Sequence, residues 1–323
     1  ITLIENRIEA ACGFLSKKLQ PGGYWEEYIN SAGTSNCWAT GFVASFVKGV
    51  NGIDGVMERG GVKTFLSSYL DSNFAYNDIA PRDGDSTNFG LLALYTMGVD
   101  VVSKVNDWLL YQHPEGGFST YIADDRLALG ELMGMEHEPD FGFWESPQPC
   151  VSAVSLYTMQ KLHGHTALST RLETLTRYMV EGFRDDLWEA YWWTSPIYTA
   201  SFVIKAAFEG NSESLQMVSS RAIRRLQQEQ QRSGSWGDAF TKQSSFYTGL
   251  MADALCSNDS LLQANQDSVK AAIHWILNQQ LSDGSWAGSD AMRLPAFRTK
   301  DLNCIVDWPV RRKSLNVRST EFN

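Results

Sequence analysis

Two helical patterns alternate along this chain. One is amphipathic, with apolar residues three and four apart and charged residues on the opposite face. It predicts helices over residues 4–19, 56–70, 99–111, 166–181, 213–231 and 266–279. The other is apolar nearly all round and rich in small residues. It predicts helices over residues 35–50, 86–97, 149–161, 195–208 and 244–255. Their sequences rhyme: CWATGFVASFV, DSTNFGLLAL, PCVSAVSLYTM, SPIYTASFVIKAAF and SSFYTGLMADAL. A helix apolar on every side is buried, whereas one with a single apolar stripe packs at a surface. The alternation therefore describes two concentric layers, an all-α toroid of about six helix–loop–helix repeats in a single domain spanning 1–323.

The turns between the layers repeat one phrase. A helix ends in Gln, a Gly-rich turn follows, and an aromatic residue closes it. The phrase stands at Gln112–Gly116–Phe118, Gln230–Gly234–Trp236 and Gln280–Gly284–Trp286, with a shorter form at Gln20–Gly23–Trp25. Degenerate copies lie near 74–76 and 183–188. Gly permits positive φ where the outer helix stops. Ser, Thr or Pro then starts the inner helix. Gln can bond the free backbone groups of the turn while the ring covers them. Gln112, Trp236 and Trp286 are accordingly read as staples between repeats, not as catalytic groups. Two stretches fall outside the repeats: an acidic insertion at 119–147 and a basic tail at 298–323.

Composition narrows the function. A net charge of −10 argues against a nucleic-acid partner. No apolar run approaches the roughly 20 residues of a membrane helix. Residues 1–15 read as an amphipathic helix with early charges rather than a signal peptide. Cys12, Cys37, Cys150, Cys256 and Cys304 are scattered and odd in number, which fits reduced thiols and a cytoplasmic protein. The 11 Trp, 12 Tyr and 16 Phe are enough to line a cavity as well as to fill a core.

The Gln-x-x-x-Gly-x-Trp phrase resembles the QW repeat of squalene–hopene cyclases and related class II terpene cyclases. The resemblance covers nearly the whole chain, to about Phe297, and includes the closing stretch 283–295. It implies an α/α toroid and an acid-initiated cyclisation or isomerisation of a hydrophobic isoprenoid or polyene, without a metal or other cofactor. Such cyclases carry Asp-x-Asp-Asp-Thr, whose middle Asp is the general acid. Here the match is Asp83-Gly84-Asp85-Ser86-Thr87, with Ser86 in place of the last Asp. The resemblance thus implies Asp85 as proton donor, with Asp83 beside it; in that reading Asp83 and Thr87 would tune the acid and Arg82 would orient it or an anionic end of the substrate. The chemistry is consistent: burial and a like-charged neighbour raise a carboxyl pKa and keep the proton in place. Asp85-Ser86-Thr87 also reads as a helix N-cap. Both roles stand at this point.

A carbocation would need π faces around it. The candidates are Trp38 and Phe42 on the first inner helix, Phe89 on the second and Tyr157 on the third. Trp192, Trp193, Tyr198 and Phe202 surround the fourth, and Phe246 and Tyr247 begin the fifth. Trp192 and Trp193 are adjacent, so at most one is expected to point inward. Class II cyclases usually bury the site against a second helical domain, which is expected to be absent here. The cavity is then open, or another subunit, of the same or another chain, closes it, or the reaction needs less exclusion of water.

Rival readings weigh less. Protein prenyltransferase β-subunits hold zinc with Asp, Cys and His, and Thr87 stands where their Cys would be. Lanthionine-type cyclases need Cys and His ligands that do not assemble here, and His163 and His165 read as a solvated turn. Asp124-Asp125-Arg126 is not the Mg²⁺-binding DDxxD of class I synthases. An α/α-toroid glycoside hydrolase would pair Asp85 with Glu145 or Asp140, and one acid of the insertion could equally be the working carboxylate. A cyclase of a non-terpenoid natural-product intermediate, and a toroid that only binds a hydrophobic ligand or partner, complete the alternatives. The tail, with Arg311, Arg312 and Lys313, is expected to take the place of a sixth inner helix or to dock on a partner.

Overall fold

The structure, a computed structural model, describes residues 3–298 apart from 31, 73, 136–139, 163–167 and 239, together with the backbone of 316–317. The helices in chain order are α1 (Leu3–Lys18), α2 (Cys37–Val47), α3 (Asp54–Gly60), α4 (Val62–Ser67), α5 (Gly84–Thr96), α6 (Val105–Trp108) and α7 (Arg126–Leu132). There follow α8 (Pro149–Lys161), α9 (Ser169–Glu181), α10 (Ile197–Glu209), α11 (Glu213–Glu229), α12 (Ser245–Leu255), α13 (Asp259–Ala264) and α14 (Gln266–Gln279). Two short antiparallel pairs join them: β1 (Glu27–Asn30) with β2 (Gly33–Ser35), and β3 (Met292–Arg293) with β4 (Asn316–Val317).

The inner layer is α2, α5, α8, α10 and α12, each packed on the next in chain order. These are the five all-apolar helices of the sequence pattern, and nearly every residue on them is buried. Their starts are set locally. The Asp83 side chain caps α5 by accepting from Ser86 N, the Ser244 side chain caps α12 by accepting from Tyr247 N, and Pro149 opens α8. The outer layer is α1, α3–α4, the α6 region, α9, α11 and α14. The single outer helix expected over 56–70 is split. Gly61 takes a left-handed conformation at φ +78°, and its amide returns to Met57 O and Glu58 O, which ends α3. The third outer helix is reduced to α6 between two 3₁₀ turns, Val102–Lys104 and Leu109–Tyr111.

The repeated phrase works as a clamp. Gln112 Nε2 donates to Gly116 O of its own turn at 3.0 Å and to Arg171 O of the next outer helix at 2.9 Å. Gln230 does the same with Gly234 O and Ser268 O. Gln280 does it with Gly284 O and Arg7 O, joining the last repeat to the first helix. The rings lock the outer helix behind them: Trp236 Nε1 donates to Leu226 O, and Trp286 Nε1 to Ile276 O, both at 2.8 Å. Each turn glycine is held twice over. Gly284 has φ +97°, and a Cβ there would lie 2.1 Å from Ala10 O; Gly234 stands likewise against Ala271 O.

The interior of the ring is filled by aromatic side chains, not hollow. Phe42, Phe89, Phe202, Tyr198, Phe246, Trp38 and Trp193 contact one another with centroid separations of 4.0–6.5 Å. The sixth repeat contributes α14 but no inner helix among the described residues. Phe42 and Phe246 bridge the seam between α2 and α12 instead, beside a mainly apolar slot of about 680 Å³, its mouth included, that they share with Phe46, Leu250, Asp253, Ile276 and Trp286. After Trp286 the chain turns across the N-terminal ends of the inner helices. Most of the tail expected to fill the sixth place lies outside the described residues. Its Asn316–Val317 pairs with β3.

Candidate active site

The N-terminal ends of the inner helices surround one cavity, with about 720 Å³ of empty space, its mouth included. Trp38, Asp83, Asp85, Ser86 and Trp193 line it from the inner ring and its caps, with Trp192 beside them. Asn30 and Ala32 come from the β1–β2 hairpin, and Tyr76 and Ala80 from the loop before α5. The 119–147 insertion adds Thr120, Tyr121, Leu129, Leu132 and Trp144. The crossing strand adds Met292 and Leu294. The wall is therefore largely aromatic and aliphatic, with two carboxylates at its base. None of these side chains is Lys, Arg or His.

The insertion and the crossing strand form one cover. Trp144 Nε1 donates to Pro295 O at 3.0 Å, Phe143 N donates to Phe297 O at 2.9 Å, and Phe297 packs on Phe141 and Trp144. Arg293 N donates to Trp192 O at 2.8 Å and Thr194 N to Ala291 O at 2.9 Å, so the strand is anchored on the inner ring. The insertion and the crossing strand thus cover the cavity from within this chain.

The two carboxylates differ in their partners. Asp83 is the helix cap: Oδ1 accepts from Ser86 N and Oδ2 from Ser86 Oγ, both at 2.6 Å. Asp85, the residue read as a cap, is not one. It lies one position inside α5, where Oδ2 accepts from Trp38 Nε1 at 2.8 Å. Its Oδ1 is buried and has no hydrogen-bond partner among the described residues. Burial pushes the Asp85 carboxyl up to about 7, against the Trp38 hydrogen bond, which lowers it. Burial pushes Asp83 up to about 8, with Asp85 and Asp125 adding to the rise and the Ser86 bonds opposing it. Two neighbouring acids can therefore hold protons near neutral pH. Only Asp85 combines that with an unengaged oxygen.

The remaining sequence candidates separate by position. Trp192 and Trp193 both line the cavity, contrary to the one-inward expectation. They precede α10 rather than lie within it, so helical spacing does not govern them. Thr87 turns away: its Oγ1 donates to Asp83 O at 2.6 Å. Arg82 pairs with Asp125, Nε to Oδ1 at 3.1 Å, and is not on the cavity wall. Phe89, Tyr198 and Phe202 are fully buried in the aromatic interior beneath the cavity. Phe42 and Phe246 face the seam slot. Tyr157 lies at the far end of the ring, beside Lys205 and Glu209. The Tyr247 hydroxyl bonds Thr194 N, Ser195 N, Ala291 O and Thr194 Oγ1, which tie it to the segment before α10 and to the crossing strand.

The insertion is not a solvated loop, and its described acids do not reach the cavity. Asp125 holds Arg82, and Glu145 holds Arg126 through two bonds of 2.7 and 2.6 Å. Asp140 lies 3.6 Å from Arg126. Neither Glu145 nor Asp140 lines the cavity with Asp85, so the paired-carboxylate arrangement of a glycosidase is not formed by them. Glu136, Glu138, His163 and His165 lie outside the described residues. Sequence reasoning missed Tyr76, Tyr121, Trp144, Met292 and Leu294. Their aromatic and apolar character was visible, but it lay in segments without helical periodicity.

No protein-family model matches this chain, and none of the curated proteins does. Solved structures match over nearly its full length. A protein from Actinoplanes superposes with TM-score 0.80 at 21% identity, covering 98% of this chain and 94% of that one. The type II terpene cyclase MstE from Scytonema, solved in complex with its substrate geranylgeranyl dihydroxybenzoate, gives TM-score 0.77 at 21% identity, covering 98% and 92%. This chain has the fold of a type II terpene cyclase. The ent-copalyl diphosphate synthase from Streptomyces platensis also matches, with TM-score 0.56 at 18% identity. There the match takes in 79% of this chain and 45% of the other, so the shared toroid is less than half of that enzyme.

Proposed function

We propose that this protein is a terpene-cyclase-like enzyme. It would start cyclisation or isomerisation of a hydrophobic isoprenoid or polyene by protonating it from Asp85, within natural-product biosynthesis in the cytoplasm. The observation that carries the reading is the unengaged, buried Oδ1 of Asp85 at the base of an aromatic cavity. In the initiating step the Asp85 O–H bond breaks and a C–H bond forms at an alkene carbon. A carbocation is left on the neighbouring carbon, and the π electrons of a second alkene attack it. Trp38, Trp192, Trp193 and Trp144 line the cavity in which such a cation would form, and the attraction of a cation to a ring is worth about 0.5–2 kcal/mol. The cover limits water, which would otherwise quench the cation. The likeness to MstE, which binds a geranylgeranyl-bearing substrate, supports the isoprenoid class. Among the described residues the wall has no Lys, Arg or His, which favours an uncharged substrate over a diphosphate.

The test is turnover of linear isoprenoids, prenylated aromatics, diphosphates and polyenes by wild type and Asp85→Asn, with products read by mass spectrometry. A cyclised product lost in a folded Asp85→Asn variant supports the reading. Equal turnover by both removes Asp85 from the mechanism. Binding without turnover in either points to a toroid that only holds a hydrophobic ligand.

A further inference from the structure

The hydrogen bond between Trp38 and Asp85 joins two neighbouring inner helices at the base of the cavity. An indole N–H can only donate. The carbonyl oxygen of a neutral carboxyl is a better acceptor than its hydroxyl oxygen. With Oδ2 accepting from Trp38, the acid proton of Asp85 is directed to the other oxygen. That oxygen, Oδ1, is the one without a partner among the described residues.

The Trp38 ring is held in place independently of Asp85. It stacks on Phe42 at 5.1 Å, and the rings of Phe89, Tyr28 and Trp193 surround it at 5.5–5.7 Å. Its N–H therefore has a set direction before any ligand arrives. No other described group does this for Asp85. Asp83 on the same helix is engaged with Ser86. Cys150 on α8 and Tyr198 on α10 also face Asp85, and burial holds both neutral, the thiol at about 12 and the phenol well above its ordinary range.

We propose that Trp38 is a positioning residue: its indole N–H places the Asp85 proton on Oδ1, toward the cavity, and steadies the carboxylate left after transfer. The second effect grows during the reaction. As the proton leaves, a neutral hydrogen bond becomes a charge-assisted one, which is shorter and stronger. An interaction that strengthens toward the transition state lowers the barrier and not only the binding energy. Trp38 thereby serves two roles with separate parts of one side chain, the N–H for the acid and the ring face for the cavity wall. The inference rests on Asp85 being the acid proposed above.

Trp38→Phe keeps a ring and deletes the N–H. It is expected to lower kcat on the order of tenfold or more with KM little changed. It is also expected to move the alkaline limb of the pH–rate profile upward, because the lost hydrogen bond was holding the Asp85 carboxyl down. A kcat loss without movement of the limb would mean that Trp38 only shapes the cavity, and would overturn the proposal. A second measurement needs neither turnover nor this variant. With ¹⁵N-labelled tryptophan, one of the indole N–H resonances should titrate near neutral pH in wild type and stay flat in Asp85→Asn. If no indole resonance differs in this way, the proposal falls even where Asp85 proves to be the acid. If the resonance titrates but Asp85→Asn retains turnover, the hydrogen bond stands and the acid assignment is what fails.

Discussion

Arg82 Nε donates to Asp125 Oδ1 across 3.1 Å, and through that contact the residue before the acid pair holds the cover of the cavity. Asp125 in turn accepts from Ile122 N at 3.0 Å, fixing the turn that leads into α7. From α7 come Leu129 and Leu132 on the cavity wall.

Asp125→Asn leaves Arg82 half-buried without its ion pair. The contact is partly screened, so a cost of about 1 kcal/mol is expected. That corresponds to a several-fold weaker affinity for an apolar ligand such as a prenylated aromatic, with a small change in Tm. Titration by tryptophan fluorescence quenching measures it. Unchanged affinity would show that the cover does not depend on this latch.

Stability should fall as pH rises through the neutral range. Asp83 and Asp85 sit at about 8 and about 7 in the folded chain, above the ordinary value of 3.8 that the unfolded chain has. The folded state therefore binds more protons between these limits. The stabilisation is fully present below about pH 4 and is lost as pH climbs through the folded values of about 7 and 8. Melting temperatures between pH 5 and 9 should decline, and Asp85→Asn should flatten the decline. A decline of equal slope in that variant would place its source elsewhere.

The cavity wall and the aromatic interior should respond differently to truncation. Trp192 lines the cavity and anchors its indole N–H on Thr120 Oγ1 at 2.7 Å, whereas Phe202 lies fully buried below. Trp192→Ala is expected to lower kcat roughly ten- to thirtyfold, if the ring stabilises a cation by about 2 kcal/mol. Phe202→Leu should instead cost about 1 kcal/mol of stability and leave the product pattern unchanged. Steady-state kinetics with product analysis and urea denaturation separate the two. Equal effects on products would mean that the cavity reaches deeper than its lining residues indicate.

The ring was legible because its repeat carries physical demands that show in residue types. A turn against a neighbouring carbonyl needs Gly, two backbone carbonyls in reach need an amide such as Gln112, and an all-apolar helix has to be inside. The Asp83-x-Asp85 pair was legible as a motif. Which aspartate caps the helix was not, since either can do so and only the backbone decides. The ring faces were the hardest to assign. An interior packed with aromatics leaves Phe89 and Trp38 alike in sequence context, yet one is core and the other wall. The cover was hidden for another reason: Trp144, Met292 and Leu294 meet through contacts between segments about 150 residues apart, which no local periodicity records.

The bond from Gln280 to Arg7 spans 273 positions, and Gly284 seats against Ala10 in the same seam. Helix α1 leaves the ribosome before α14 does and finds this partner only when the last repeat has been synthesised. Until then the apolar face that it turns toward α14 has no covering repeat. Loop closure over so long a span is entropically costly. Closing the circle is therefore a late event in folding, made by the same clamp that elsewhere joins immediate neighbours.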